Sequence, residues 1–569
     1  MYMTQSAEKN NIGLDFGTTY SIISRLEGKE YGTNGRLEDY KLDNWAPSEG
    51  SGSGFEDSIV VKKKDGKYVS GSVARNETGR IGSKTFKGFK MMIAETNPMN
   101  LKQRGYDETD TPLSITRTYL SQLLEKYVNR NRGSVDVIDK IVVGVPEIWF
   151  SDVKTADCRT SLEKIIHSFE YIKDVELISE PAAACACFVE NYRKYEKEKY
   201  NGKILVIDYG GGTLDIALCD VVDKGNSSDV SVIKRCGAGL NEDGYIGKAG
   251  LAFIEEVVKI ALRETGKTDE EILADEYFYS YLNDVENNLM AKSLEVAETL
   301  DVKGDLTAID DEFCNIHVDR NNEPTVTYGM LAKAYDTIIK PVLDEKLDEV
   351  IKYMDESGIN YSTAENNFKI AMVGGFCNFY LTQRDIEKKF HKGAADKRFK
   401  DIISERDREK AISFGATLVA NDLVSFKPLS PYHLGVGKGS EKELKDSWFV
   451  VHKGQEITYG KPMFVKDEDG DAIIFRGNRI PMLVFSTDDF LSDTSIDCGE
   501  PIEEYKVKMS LDPDKCFKIG FSFDKSMIIT LHTQQVERNG QPIGEVNNIR
   551  LDKLYEIFGN LITVKKRLS

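Results

Sequence analysis

Two segments far apart in the chain carry the same arrangement of reactive and permissive residues. Asn11 to Ser24 reads NIGLDFGTTYSIIS and Lys203 to Asp220 reads KILVIDYGGGTLDIALCD. Each is an apolar run, an aspartate, a glycine-bearing turn with threonine, and a second apolar run, which is the pattern of a strand, tight turn and strand. Gly17 and the triplet Gly210, Gly211 and Gly212 permit positive φ and close approach of the backbone to a ligand. The flanking Ile, Val and Leu suit half-buried strands. The hairpins would present Asp15 and Asp208 at equivalent tips. Two such tips facing one cleft can surround a chain of phosphates with backbone N–H groups, and the repetition points to two similar halves.

The elements that must position these tips can be read between and after them. Ile141 to Pro146, IVVGVP, is a buried strand ending in a proline turn, followed by a polar helical stretch from Ser151 to Glu170. The strand at Val175 to Ile178 leads through Ser179, Glu180 and Pro181 into an Ala-rich helix, with the proline at a first-turn position where its missing N–H costs little. Phe368 to Gly375, FKIAMVGG, is a further strand ending in a glycine pair. Arg408 to Leu423 reads as a helix in which Gly415 and Ala416 permit close packing. Residues 250–340 have helical spacing and form a mainly helical insertion ending in a β ribbon near Val318 to Thr327. After residue 424 come short alternating stretches: Trp448 to Val451, Met482 to Phe485, Tyr505 to Met509, Lys518 to Phe523 and Met527 to Leu531. Ile519, Phe521 and Phe523 alternate with Lys518, Gly520 and Ser522, so an all-β domain is expected here. Leu423 to Leu429 is an apolar connector suited to docking on a neighbour.

The chain has 569 residues, which corresponds to about three or four folding units. Its 75 Lys and Arg against 94 Asp and Glu leave a net charge of −19, which argues against nucleic acid or an anionic membrane as partners. No charged-then-apolar leader opens the chain and no apolar run is long enough to span a bilayer, so the cytoplasm is the expected location. The nine cysteines form no CxxC, with Cys185 and Cys187 the closest pair, and the six histidines are isolated. Reduced thiols and the absence of a zinc centre are therefore expected.

The segments IGLDFGTTYS, GVPEIWFSD, ISEPAAACA, VIDYGGGTLDIAL, MVGGFCN and AISFGATLVA, in this order, resemble the ATPase domain of DnaK-type heat-shock chaperones (heat-shock protein 70-like), within the actin and sugar-kinase superfamily. YKVKMSLD and FSFDKSMIITL resemble the substrate-binding sandwich of the same family. The resemblance implies an α/β actin-like ATPase domain of two RNase H-like lobes over 11–422. Lobe I covers about 11–206, and lobe II about 207–422 with the helical insertion at about 250–340. An interdomain linker at 423–430 and an all-β sandwich domain for substrate or partner at 431–569 would follow. Fewer than 40 residues lie beyond Leu531, too few for the long helical lid of the family.

Phosphoryl transfer needs donors around the phosphates, a hydrated metal and an oriented water rather than a covalent nucleophile. Gly17, Thr18, Thr19 and Tyr20 offer turn amides and hydroxyls; Gly210, Gly211, Gly212 and Thr213 offer a second set. Asp15 and Asp208 can hold Mg²⁺ through its waters. The resemblance assigns Asp15, Asp208 and Asp215 to arranging metal and water, and places Thr213 near the γ phosphate. Glu180 reads locally as a carboxylate favoured by a helix dipole; by resemblance it orients the attacking water. The phosphate-facing lysine of the family falls on Lys90 of FKGFKMMI rather than Lys87, because Lys90 directly precedes the apolar MMI. Gly374 and Gly375 would admit adenine, and Gly237 and Gly239 either line the phosphate side or are turn glycines. Phe376, Cys377 and Asn378 replace the serine and arginine of the family. Phe376 either stacks on the base, with Asn378 beside it, or packs as a core aromatic. Lys292 has no basic neighbour to complete the ribose-side pair of the family.

The implied cofactors are ATP and ADP with Mg²⁺, with room for K⁺. The implied activity is ATP hydrolysis to ADP and phosphate, coupled to binding of unfolded or extended peptide segments, with a J-domain co-chaperone and a nucleotide exchange factor as further partners. Pro146 matches the family's relay proline, whereas its arginine position falls at Lys154 or Thr155. The connector LVSFKPL also lacks the acidic pattern of the family. Interdomain coupling is therefore expected to be retuned, and without a lid bound peptide should leave faster. These departures open a second reading, a nucleotide-gated scaffold dedicated to one protein client. A filament-forming actin relative and a small-molecule kinase fit the pattern less well.

Overall fold

The structure is a computed structural model that describes residues 9–31, 37–46, 54–130, 136–225, 227–239, 248–275, 277–318, 323–363, 367–393, 396–399, 408–440, 443–476, 482–491, 497–499 and 514–551. The chain falls into two compact units. The first comprises Met1–Glu147, Ile165–Val230 and Arg235–Ser425; the second comprises Ile148–Lys164, Ser231–Lys234 and Phe426–Ser569.

Two of the sheets in the first unit have matching topology. Strand β1 (Asn11–Phe16) turns back into β2 (Tyr20–Tyr31), which pairs with β3 (Leu37–Asn44). On its other side β1 runs parallel to β4 (Lys140–Val145), itself parallel to β5 (Val175–Ser179). In the second sheet β6 (Asn201–Tyr209) turns back into β7 (Leu214–Asp223), which lies beside β8 (Ser228–Ala238), and β6 runs parallel to β9 (Phe368–Val373). Each sheet is thus a three-strand meander whose first strand is flanked by a parallel strand reached through helices, as a parallel pairing requires. Being central, β1 and β6 bury Ile12, Leu14 and Phe16, and Ile204, Leu205, Val206 and Ile207. The repetition extends to register: Asp15 stands opposite Gly144 of β4, and Asp208 opposite Val373 of β9.

The helices Glu180–Glu196 and Ala411–Ala420 pack where their side chains are smallest. A Cβ on Gly415 would lie 1.7 Å from the Ala183 carbonyl oxygen, and one on Gly13 would lie 2.3 Å from that of Ser413. Backbone cannot yield as a flexible side chain can. Gly415→Ala is therefore expected to destabilise the protein by about 1–3 kcal/mol or more, read as a lowered urea midpoint at unchanged slope. The helix Ala411–Ala420 is shorter than its sequence pattern, and the polar stretch after Pro146 divides into Ile148–Ser151 and Val153–His167.

The insertion contains the helices Gly250–Arg263, Asp269–Leu273, Phe278–Ala291, Ser293–Leu300, Tyr328–Ala334 and Lys340–Glu356. Its ribbon pairs Glu312–Asn315 with Thr325–Thr327, so the first strand lies earlier than Val318. The reason is burial: Phe313, Cys314 and Ile316 face inward and Phe313 meets the Tyr328 ring, whereas His317 is exposed. The connector begins as a short strand, Val424–Phe426, beside β8, with the Ser425 hydroxyl on Asp229 at 3.0 Å.

In the second unit, His433–Ser440 pairs with Glu443–Val451 and with Met482–Ser486, which is followed by Asp497–Gly499. A second sheet joins Met463–Phe464, Cys516–Phe523, Ile529–Val536 and Asn547–Arg550. Ile519, Phe521 and Phe523 are buried as their alternation requires. Ser522 on the opposite face is buried too, beneath the His532 ring, whose Nε2 lies 2.7 Å from its hydroxyl. The Val153–His167 helix sends Arg159 to the carbonyls of Ser526 and Met527, at 2.9 and 3.3 Å, and to the Tyr432 hydroxyl at 2.5 Å. Tyr505 to Met509, YKVKMSLD and the segment after Leu551 lie outside the described residues. No helix among the described residues is long and apolar enough to cross a membrane. Eight of the nine cysteines, all but Cys498, have described side chains; none of these eight is disulfide-bonded, and all of them but Cys516 are buried.

Candidate functional site

The two hairpin turns meet. Gly17 can only be glycine, since a Cβ there would lie 2.1 Å from the Tyr20 carbonyl oxygen, and Ser58 fixes the turn by donating its hydroxyl to the Gly17 carbonyl at 2.7 Å. In the second turn the Gly210 N–H closes on the Thr213 carbonyl at 3.0 Å. Cβ atoms on Gly211 and Gly212 would lie 2.6 Å from the Thr19 hydroxyl and 2.2 Å from that of Thr18, so the threonines of one tip rest on the bare glycines of the other. Gly239, just past β8, is pressed in the same way against Thr213, and Met91 lies beneath Gly212. Gly374, at φ +83° after β9, fits against Asp208: a Cβ would lie 2.4 Å from Oδ1.

Around these tips the structure gathers ionisable groups. Lys90 sits in the turn of helix Phe89–Met92, is 2% exposed, forms an ion pair with Glu180, and lies over the Phe16 ring at 5.6 Å. Lys87 goes elsewhere, to Glu286 at 2.7 Å. Asp15 is pushed up to about 7, first by burial and then by the neighbouring Glu180 charge, with Lys90 opposing. Burial, then Glu180, Asp215 and Asp15, hold Asp208 well above the usual carboxylate range. Asp215 is raised by burial and by Glu180, while the Thr213 hydroxyl donates to it and opposes the shift.

Four buried carboxylates facing one ammonium leave the site short of positive charge, and Asp208 Oδ2 is buried with no hydrogen-bond partner among the described residues. This donor set fits a small hard cation. No three His, Cys, Asp or Glu side chains among the described residues converge on a common ligand position, so such a cation would keep water in part of its shell.

Beyond Gly374, Phe376 lies in the single turn Gly375–Asn378. Its ring is half-buried against Tyr209, Phe253 and Phe379, at 5.4, 5.0 and 5.3 Å between centroids. It therefore belongs to an aromatic cluster that reaches the surface. Asn378 is exposed and accepts from Arg408 at 3.5 Å; nothing lies within 4 Å of a Cβ on Gly375. The Tyr20 ring turns toward Phe55. Gly237 is half-buried within β8, and 240–247 lie outside the described residues. Lys292 reaches the Phe313 carbonyl at 2.5 Å, in the ribbon.

Two residues of the site were not singled out by the sequence pattern. The Glu147 N–H donates to Asp215 Oδ1 at 2.6 Å, and Arg235 Nη1 meets the two Glu147 carboxylate oxygens at 2.9 and 3.0 Å. A carboxylate directly after the buried run IVVGVP was the available signal. In Arg235 it is weaker, a charge on the alternate face of a strand whose other face buries Val230, Val232 and Cys236.

No family model matches the chain. The chain is similar to the chaperone protein DnaK of Mycoplasmoides gallisepticum, with 26% identity over 212 residues, 37% of this chain and 31% of that protein. It is similar to the DnaK of Mycoplasmopsis agalactiae, at 26% over 212 residues, and to that of Metamycoplasma hominis, at 28% over 210 residues, each match covering 37% of this chain and 30% of the relative. The chain spans about a third of the length of the curated relatives it matches.

Proposed function

From the premise that this chain is a distant relative of the DnaK chaperones, we propose that it is a chaperone-like ATPase whose nucleotide state governs the binding of extended peptide or protein segments. Residues of about 11–422 are read as an actin-like ATPase domain of two lobes, joined by 423–430 to a β-sandwich at 431–569 that binds the client. One observation carries the reading: Asp15, Lys90, Glu180, Asp208 and Asp215 are buried together where two glycine-bearing hairpin tips meet. A charge-deficient pocket beside backbone amides suits a polyanion that arrives with its own cation.

In this reading Thr18, Thr19, Gly211 and Gly212 bind the phosphates through turn amides and hydroxyls, and Lys90 supplies a fixed positive charge where negative charge develops. Glu180 orients the attacking water, and Asp215, held by Thr213 and the Glu147 amide, fixes the geometry around the transferred group. Asp15 and Asp208 would hold Mg²⁺ through its waters; bound there, the ion neutralises charge on the phosphate oxygens. Gly374 and Gly375 admit the base beside the half-buried Phe376. J-domain proteins and exchange factors are the corresponding regulators.

The test is single-turnover ATP hydrolysis by wild type and Glu180→Ala, with and without a panel of apolar peptides. Slow hydrolysis that disappears in the variant and accelerates with peptide is expected, because a ligand shifts an equilibrium only through differential binding to its two states. Unchanged hydrolysis in Glu180→Ala would remove the assigned role. Hydrolysis indifferent to every peptide would favour a scaffold dedicated to one partner.

A further inference from the structure

We propose that the Glu147–Arg235 ion pair is a positioning device for hydrolysis, which holds Asp215 through the backbone amide of Glu147. The proposal rests on the ATPase reading above.

Glu147 follows Pro146 at the end of β4 and is completely buried. A buried carboxylate is costly unless paired, and apolar replacement of such a pair is often neutral or stabilising; packing alone therefore gives no account of it. What the residue does supply is its N–H, 2.6 Å from Asp215 Oδ1. That bond belongs to the backbone, and the side chain works against it by placing a second negative charge near Asp215. Arg235 resolves the conflict. Its Nη1 lies 2.9 and 3.0 Å from the two Glu147 oxygens and 3.4 Å from the hydroxyl of Ser179, the residue before Glu180. One guanidinium on β8 thus bonds to the chain at the ends of β4 and β5, beside the residues that hold Asp215 and continue into Glu180.

Their positions in the chain give the pair a second property. Glu147 is the last residue of the first unit before the chain enters the second, and Arg235 is the first residue after a later return. The ion pair therefore ties together two of the crossing points of the chain and fixes both to Asp215.

Without Arg235, the buried Glu147 carboxylate loses the guanidinium that pairs with it, and the turn carrying its N–H is expected to withdraw from Asp215. Arg235→Gln should therefore slow single-turnover hydrolysis about 10- to 100-fold, with nucleotide affinity changed less than about threefold. The Glu147 amide should exchange at least tenfold faster in deuterium-exchange mass spectrometry of the peptide spanning it. The double variant Glu147→Gln with Arg235→Gln removes both charges of the pair. It should hydrolyse faster than Arg235→Gln alone, a rescue that a double-mutant cycle resolves from additive structural damage. If Arg235→Gln does not fold, the double variant against Glu147→Gln alone gives the same comparison: comparable rates support charge compensation, and a further loss opposes it. Wild-type hydrolysis in Arg235→Gln, or a double variant slower than either single, overturns the proposal. If the wild-type protein hydrolyses no ATP, the ATPase reading fails by itself; exchange at Glu147 then decides the pair, and unchanged protection in Arg235→Gln overturns it.

Discussion

Lys90→Ala is expected to lower single-turnover hydrolysis by at least about 100-fold, the order seen when one fixed donor is removed from a developing negative charge, and to destabilise the protein at the same time. Lys90 is 2% exposed and Glu180 6% exposed, so neither charge can fall back on water. Removing one partner of a buried pair costs about 3–5 kcal/mol. Here the ammonium also opposes the raised pKa values of Asp15, Asp208 and Asp215. Proton uptake by these carboxylates will absorb part of the cost, so the loss should be smaller at pH 5 than at pH 8. Lys87→Ala is the matched control, because Lys87 pairs with Glu286 instead, and its hydrolysis should stay within a few-fold of wild type. Urea titration and quenched-flow hydrolysis of both variants test the pair of expectations; equal loss of hydrolysis in the two would contradict the assignment of Lys90.

Asp208→Asn should produce effects of opposite sign. Removing this carboxylate relieves its repulsion with Glu180, Asp215 and Asp15, so the metal-free, nucleotide-free protein is expected to become more stable. Hydrolysis should fall by about 100-fold or more, since the buried Oδ2 without a partner is the atom best suited to a hydrated cation. Residues poised for function often cost stability in this way. The pH dependence has a definite sign. A carboxylate whose pKa is raised on folding binds more protons in the native than in the unfolded state, so stability falls as pH rises, by at most about 1.4 kcal/mol per pH unit per group. For Asp15, raised from 3.8 to about 7, that window runs from about pH 4 to 7. Wild type in chelator should lose stability across it, and Asp208→Asn should lose less. A variant that is both inactive and less stable would show Asp208 to be a structural residue.

The hairpins were legible because their logic is local: glycine where a turn needs it, aspartate at the end of an apolar run, and a second run to close the pair. Glu180 and Lys90 could be named individually, but their ion pair joins residues 90 positions apart, and no spacing rule carries such information. Glu147 and Arg235 escaped notice for a related reason, since charged residues read as surface until the fold buries them. The ribbon near residue 320 was displaced because its hydrophobic alternation is short and Phe313 decides its placement through a tertiary contact with Tyr328. The division of the chain into two interleaved units is the least legible feature. The segment Ile148–Lys164 has the texture of any amphipathic helix, and it takes tertiary contacts, such as the buried Arg159 bonded to Tyr432, Ser526 and Met527, to show where it belongs.

That interleaving sets a timetable for synthesis. Ile148, Trp149, Phe150 and Leu162 are buried in the finished protein, yet the strands that complete their unit begin about 260 residues later. At translation rates of about 5–20 residues per second the segment waits about 15–50 s on the ribosome before those strands start to emerge. Apolar side chains displayed for so long are a natural substrate for the cell's own holdases. A nascent chain arrested near residue 425 would carry every segment of the first unit but only the two short early segments of the second, and cutting the gene there would leave Ile148–Lys164 without the strands that complete its unit.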